Sequence, residues 1–126
     1  MDWSRFGLRE GAPAVVYLHS PREKIWGILL ALSPAGVALR GLDLAAFDDW
    51  MRQEAKGEED LIGPTTVFYP MHRVERIERD ESVGPIPSCA ERFEREVGQP
   101  VTQAMGDGED SPERGGPSPS PGRLDY

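Results

Sequence analysis

The stretch Ile25-Trp26-Gly27-Ile28-Leu29-Leu30-Ala31-Leu32 decides the fold class of this chain. Its aromatic, β-branched and aliphatic residues predict a strand. Gly27 has no side chain to pack inside that strand, which is typical of a bulge or a sharp bend. Small barrels need such a bend where a strand curls from one sheet layer to the next. The stretch therefore predicts a strongly curved, mostly β domain.

Flanking segments extend this strand into a meander. Residues Ala14 to Ser20 (A-V-V-Y-L-H-S) alternate their faces and predict a preceding strand, joined through the polar turn 21–24 as a hairpin. After a turn at 33–36, residues Val37 to Leu42 predict a third strand. Thr65 to Tyr69 predict a short fourth strand that ends at Pro70.

The spacing of the apolar residues in the last strand does not fit the two-residue repeat of a strand. Val74 and Ile77 are three residues apart, so a flat strand cannot bury both. A helical turn or bulge around 70–74, followed by a short strand over 75–80, resolves the conflict.

Two helices are predicted at the periphery. Asp43 is placed to cap a helix that follows the third strand and stops near Ala55. Ser88 and Glu91 form a capping-box pattern, and Gly98 ends the helix they start. The apolar stripes are Leu44, Phe47 and Met51 in the first helix and Cys89, Phe93 and Val97 in the second.

Composition divides the 126 residues into three parts: an N-terminal extension over 1–13, one domain over 14–102 and a tail over 103–126. The tail has five Gly and four Pro with little apolar material, so it is predicted to be disordered. Pro117, Pro119 and Pro121 also suit a docking ligand, although a solvated terminus without function is the simpler interpretation.

Charge and cysteine content narrow the function. The chain carries −8, and residues 1–102 hold 17 acidic against 12 basic residues, which disfavours general binding to nucleic acid or anionic lipid. A single cysteine excludes an internal disulfide. No apolar run reaches the length of a membrane span, and the first residues lack the apolar stretch of a secretion signal. These features together predict a cytoplasmic location. No catalytic, metal or cofactor motif appears. We therefore expect no enzyme activity, no cofactor, no metal and no small-molecule substrate.

Two segments resemble the Sm-like family of small barrels. Lys24–Leu29 looks like that family's second strand, in which a glycine lets the strand curl, and His72–Ile77 resembles the last strand of bacterial host-factor RNA chaperones. The family usually has an Asp where Ser33 stands and a basic residue where Met71 stands. The Arg73–Ile77 pattern is also similar to that of uncharacterised bacterial proteins. The resemblance implies a five-stranded SH3-like or Sm-like barrel, here with a helix after strand 3 and a C-terminal helix.

Two groups of residues are candidates for a site. Arg40, His72, Arg73 and Arg76 are candidates for an anion or RNA contact, because arginine presents a planar fork to phosphate or carboxylate. Glu75 and Glu78 alternate with these arginines, so neutralising ion pairs are the alternative. Cys89, at the first turn of a helix, is either an activated thiol or a packed one.

The second group is aromatic. The interior of a small barrel accepts only part of the area of eight large rings: Trp3, Phe6, Tyr17, Trp26, Phe47, Trp50, Phe68 and Tyr69. Some of Trp26, Phe47, Trp50 and Tyr69 are therefore predicted to form an exposed partner patch, unless the two helices cover them. The sequence thus predicts a non-enzymatic interaction or oligomerising module whose partner is a protein, either itself or another. An Sm-like RNA binder is the alternative. A third interpretation, a small enzyme or metal protein, requires a pocket that joins His19 and His72.

Overall fold

The computed structural model describes residues 2–58 and 61–106. Five antiparallel strands form one sheet in the order β4-β3-β2-β1-β5. The strands are β1 (Pro13–Leu18), β2 (Glu23–Ser33), β3 (Gly36–Asp43), β4 (Thr65–Pro70) and β5 (Val74–Arg79), and the two α-helices are α1 (Phe47–Lys56) and α2 (Cys89–Val97). The predicted mostly β, α+β class is confirmed, as are the meander and the positions of both helices.

The sheet is open, in contrast to the closed barrel predicted from Gly27. Strands β4 and β5 are its terminal strands, and no ladder of the described residues joins one to the other. A short 3-10 helix, Met71–Arg73, connects them and carries the chain from one end of the strand order to the other. Curvature alone does not close a sheet, because closure also requires the final hydrogen-bonded ladder.

Gly27 permits a close approach of two strands. It lies opposite Gly41 in the β2–β3 ladder, and a Cβ at position 27 would lie 2.7 Å from the Arg40 carbonyl oxygen and 2.7 Å from Leu39 Cδ1. The irregularity in this ladder occurs elsewhere, between Leu29 and Ala31. Of the bulge or sharp bend predicted at Gly27, the bulge is not there: the glycine provides contact space, and the register shift follows it in the same strand.

Each face of the sheet packs against a hydrophobic cluster. On the inner face, side chains from all five strands meet, which requires strong curvature; the cluster comprises Ala14, Val16, Leu18, Ile25, Leu29, Val37 and Leu39, with Val67, Tyr69, Val74 and Ile77 packed against it. On the outer face, both helices cover the sheet; this cluster comprises Val15, Trp26, Ile28, Leu42, Phe47, Trp50, Met51, Phe93, Val101 and Met105.

The helix ends follow the predicted capping chemistry. Asp43 Oδ1 accepts a hydrogen bond from the Ala45 N–H at 3.0 Å and starts a 3-10 turn that continues into α1. Ser88 and Glu91 form the predicted capping box of α2, and Gly98 ends that helix in the left-handed region, where a side chain would be strained.

The conflict of period in β5 is resolved in two ways at once. The 3-10 helix precedes the strand, and the β1–β5 ladder skips Glu75 between Arg76 and Val74. This bulge lets Val74 and Ile77 both reach the inner cluster.

The packed chain extends past residue 102, where the sequence predicts its end. A 3-10 helix covers Val101–Ala104, and Met105 is buried in the outer cluster. Most of the tail predicted to be disordered, residues 107–126, lies outside the described residues. At the other terminus, the predicted extension contributes a 3-10 helix, Trp3–Phe6, and Leu8 packs on the inner cluster.

Candidate functional site

The four predicted cationic residues do not form one site. Arg40 lies on β3 and Arg76 on β5, with β2 and β1 between them in the sheet. Arg73 belongs to the 3-10 turn before β5, and His72 beside it is exposed. Each arginine is instead engaged by its own neighbours.

Arg73 clamps the β1–β2 turn. Its Nε donates to the His19 carbonyl oxygen at 3.0 Å, and its Nη2 donates to the Pro21 carbonyl oxygen at 2.9 Å and to Glu23 Oε2 at 3.0 Å. The His19 N–H donates back to the Arg73 carbonyl oxygen at 3.0 Å. The guanidinium therefore joins two distant turns of the chain.

Arg40 and Arg76 also have protein partners. Arg40 Nε donates to the Met105 carbonyl oxygen at 3.0 Å, which anchors the end of the described chain to β3. The Arg76 guanidinium carbon lies 4.0 Å from the centre of the Tyr17 ring, and its Nε donates to Glu78 Oε2 at 2.9 Å. The contact with Tyr17, followed by the charge of Glu78, raises the pKa of Arg76. Of the predicted pairs with Glu75 and Glu78, the structure shows Arg76 with Glu78, whereas Arg73 pairs with Glu23.

Three of the four predicted partner-patch residues are buried. Trp26, Phe47 and Trp50 are at most 1% exposed and pack around Phe93 between the sheet and the two helices. The Trp26 and Phe47 ring centres are 4.9 Å apart, and those of Trp50 and Phe93 are 4.8 Å apart. These rings therefore cannot form an exposed patch, because α1 and α2 cover them. Tyr69 is half-buried on the inner side, and burial raises its pKa.

Cys89 is a packed thiol. Burial is the main factor that raises its pKa, and the nearby Asp80 carboxylate acts in the same direction. A raised pKa leaves less thiolate at neutral pH, which favours the packed thiol over the activated one.

Asp80, which the sequence analysis did not single out, connects α2 to the Trp26 side chain of the outer cluster. Its Oδ1 accepts from the Cys89 N–H at 2.9 Å, and its Oδ2 accepts from the Ala90 N–H at 2.9 Å and from Trp26 Nε1 at 3.1 Å. One carboxylate thus holds the start of α2 and the buried indole together. Nothing in the sequence indicates this role, because Asp80 follows a strand and precedes the helix by a loop.

An apolar cleft is the most distinctive feature of the surface. It has a volume of about 450 Å³ and lies between the N-terminal 3-10 helix, the tip of the β2–β3 hairpin and β5; its apolar lining comprises Trp3, Leu8, Leu32, Met71, Val74 and Ile77. Trp3 is 50% exposed. The available signal in the sequence was two aromatic residues, Trp3 and Phe6, within a charged N-terminal segment.

Among the described residues, no group of three or more His, Cys, Asp or Glu side chains is placed to hold a metal ion. Neither His19 nor His72 lines the apolar cleft. No helix in the described part of the chain is long and apolar enough to cross a bilayer.

Comparisons with protein-family models, curated proteins and solved structures found no significant match to this chain.

Proposed function

We propose that this chain is a non-enzymatic protein-interaction module that binds its partner, itself or another protein, at the apolar cleft. The observation that carries the proposal is a half-exposed tryptophan, Trp3, on a cleft lined with aliphatic side chains. Exposed apolar surface of this kind marks interaction sites, and tryptophan is enriched among the residues that dominate binding energy.

The position of the cleft supports the same function. Val74 and Ile77, which line it, belong to a terminal strand of the sheet. Such a strand presents unpaired backbone N–H and C=O groups, to which an extended segment of a partner can add. A partner at this place would gain apolar contacts and backbone hydrogen bonds together.

We also propose that the fold is a small barrel of the SH3-like or Sm-like type left open between β4 and β5. The joint packing of five strands on one inner cluster supports this relation. Cytoplasm is the proposed compartment, supported by the free thiol of Cys89.

The three tryptophans provide a direct test. Trp26 and Trp50 are buried and Trp3 is half-exposed, so iodide should quench mainly the fluorescence of Trp3. Partners are first identified by crosslinking in cells that express the chain, and each is then purified and titrated. Binding should protect Trp3 from iodide, and Trp3→Ala should weaken binding about tenfold or more, a typical loss for an interface tryptophan.

Leu61→Ala is the matched control, because Leu61 is exposed and apolar but does not line the cleft. It should bind as the unmodified chain does. Binding that neither protects Trp3 nor responds to Trp3→Ala would refute the role of the cleft.

RNA binding, the alternative function, has less support. Arg73 is fully engaged in its clamp, and Arg76 is stacked on Tyr17 and paired with Glu78. Its test is salt-dependent retention of RNA, lost in Arg76→Ala; no retention at low salt removes it.

A further inference from the structure

The exposed strand β5 has an unusual order of charges. It reads Val74-Glu75-Arg76-Ile77-Glu78-Arg79, and all four charged residues are exposed. Within the described residues, β5 pairs only with β1, so its other edge has no strand beside it. Charges on an edge strand discourage nonspecific pairing, and their order decides which strand can still pair.

The charge order matches that of a second, antiparallel copy. A two-fold axis through Ile77 places Ile77 opposite its own copy and Arg76 opposite Glu78 on both sides of the axis, within the regular part of the strand that follows the bulge at Glu75. The two charged residues that flank Ile77 then each face one of opposite sign, which favours pairing across strands.

Neighbouring registers are disfavoured. A one-residue shift would put side chains of opposite faces against each other, so the nearest alternatives shift the pairing by two residues. In one direction Arg76 then faces its own copy, and in the other Glu78 faces its own copy. Like charges directly opposite each other destabilise a strand pair, so the charges select one register.

The surroundings of β5 fit this arrangement. The apolar cleft lies along Val74 and Ile77, so the two-fold axis brings both clefts together at the junction. The same patch on both copies forms the contact, as in a closed two-fold dimer.

We propose that two copies of this chain pair antiparallel through β5, in the register centred on Ile77, and join their sheets into one. This proposal rests on the proposed function, whose partner it identifies as a second copy. The contact closes on itself, so it produces dimers and no longer assemblies.

Charge reversal on the outer face of β5 tests the register. In Arg76→Glu, two glutamates oppose each other on both sides of the axis, and in Glu78→Arg, two arginines do. Each variant alone should dimerise at least about 100-fold more weakly than the unmodified chain, equivalent to about 2.8 kcal/mol at 1.4 kcal/mol per tenfold. Mixed in equal amounts, the two variants should form a heterodimer, because each glutamate then faces an arginine. The double variant, Arg76→Glu with Glu78→Arg, should recover the homodimer.

Sedimentation equilibrium measures each association, and circular dichroism confirms that every variant is folded. Arg52→Glu is the matched control, since Arg52 is an exposed, ion-paired arginine on α1; its dimerisation should equal that of the unmodified chain. A chain that stays monomeric up to about 1 mM, the concentration of a very weak complex, overturns the proposal. So does a dimer that neither single variant weakens, or variants that do not combine.

These failures are distinct from failure of the proposed function. A monomeric chain whose Trp3 is protected by an identified partner contradicts β5 pairing and supports the interaction module. A dimer that is insensitive to the β5 charges but sensitive to Trp3→Ala places self-association at the cleft without the proposed register.

Discussion

Asp80→Asn should destabilise the fold through the outer layer. The carboxylate accepts three hydrogen bonds: one on Oδ1, from Cys89 N, and two on Oδ2, from Ala90 N and Trp26 Nε1. Asparagine offers one acceptor oxygen, so its best orientation keeps the two bonds on the Oδ2 side and turns its amide NH₂ toward the Cys89 N–H. At least one partly buried N–H group therefore loses its acceptor.

The magnitude follows from two costs. An unsatisfied buried N–H costs about 1–3 kcal/mol, and loss of a negative charge at the start of α2 costs about 0.3–1 kcal/mol. The expected loss in the free energy of unfolding is therefore about 2–3 kcal/mol, which lowers the melting temperature by roughly 10–15 °C in a domain of about 100 residues. Asp80→Ala should cost more, because it leaves all three donors without this acceptor.

Urea unfolding followed by tryptophan fluorescence measures this loss, because the buried Trp26 and Trp50 report on the outer layer. Glu81→Gln is the matched control: Glu81 is an exposed carboxylate paired with Arg79, and its loss should cost less than about 1 kcal/mol. Trp26→Phe isolates the indole bond, and its effect should be less than additive with Asp80→Asn. If Asp80→Asn and Glu81→Gln unfold at the same urea concentration, the assigned role of Asp80 is wrong.

Three further predictions concern other parts of the fold. Gly27→Ala should cost at least about 2 kcal/mol in unfolding free energy, because the added Cβ would lie 2.7 Å from the Arg40 carbonyl oxygen. Gly63→Ala is the control, because a Cβ at position 63 would meet open space. Equal urea midpoints for the two variants would refute the close approach at Gly27. In the native chain, Gln53 Oε1 accepts hydrogen bonds from the Leu61 N–H at 2.8 Å and the Ile62 N–H at 3.1 Å, and Gln53→Ala removes this acceptor. Hydrogen exchange of these two amides should accelerate about tenfold, the equivalent of about 1.4 kcal/mol. Unchanged exchange would contradict this role of Gln53. Because the pKa of Cys89 is raised in the folded state, the thiol of the unfolded chain ionises at a lower pH than that of the folded chain. The contribution of Cys89 to stability should be complete below pH 9.0, the ordinary pKa of the thiol, and should decrease as pH rises through the folded pKa. Cys89→Ala should remove this part of the decrease in the urea midpoint, and a midpoint that rises with pH in this window would show the sign to be wrong.

Local chemistry determined the elements of this fold. The alternating apolar residues of β1, the cap at Asp43 and the capping box of Ser88 and Glu91 each act over a few neighbouring residues. Such interactions are present in the sequence itself, so the five strands and both α-helices were predictable. The three-residue spacing of Val74 and Ile77 likewise required a local break in strand period, which the structure supplies as a turn and a bulge.

The candidate sites were less predictable, because they depend on which surfaces meet. The guanidinium groups of Arg40, Arg73 and Arg76 suit an anion site, but in the fold each of them binds a different protein partner. Cys89 stands at a helix start that favours a thiolate, but packing against the outer cluster has the larger effect on its pKa.

Neighbours along the chain set the strand and helix segments, the net acidity and the charge order of β5, so these features can be predicted from the sequence. Packing of the folded chain covers Trp26, Phe47 and Trp50, joins α2 to the sheet through Asp80 and leaves β4 and β5 without a shared ladder. These features arise from contacts between residues distant in sequence. Their energies depend on the final distances and burial, which no local pattern contains.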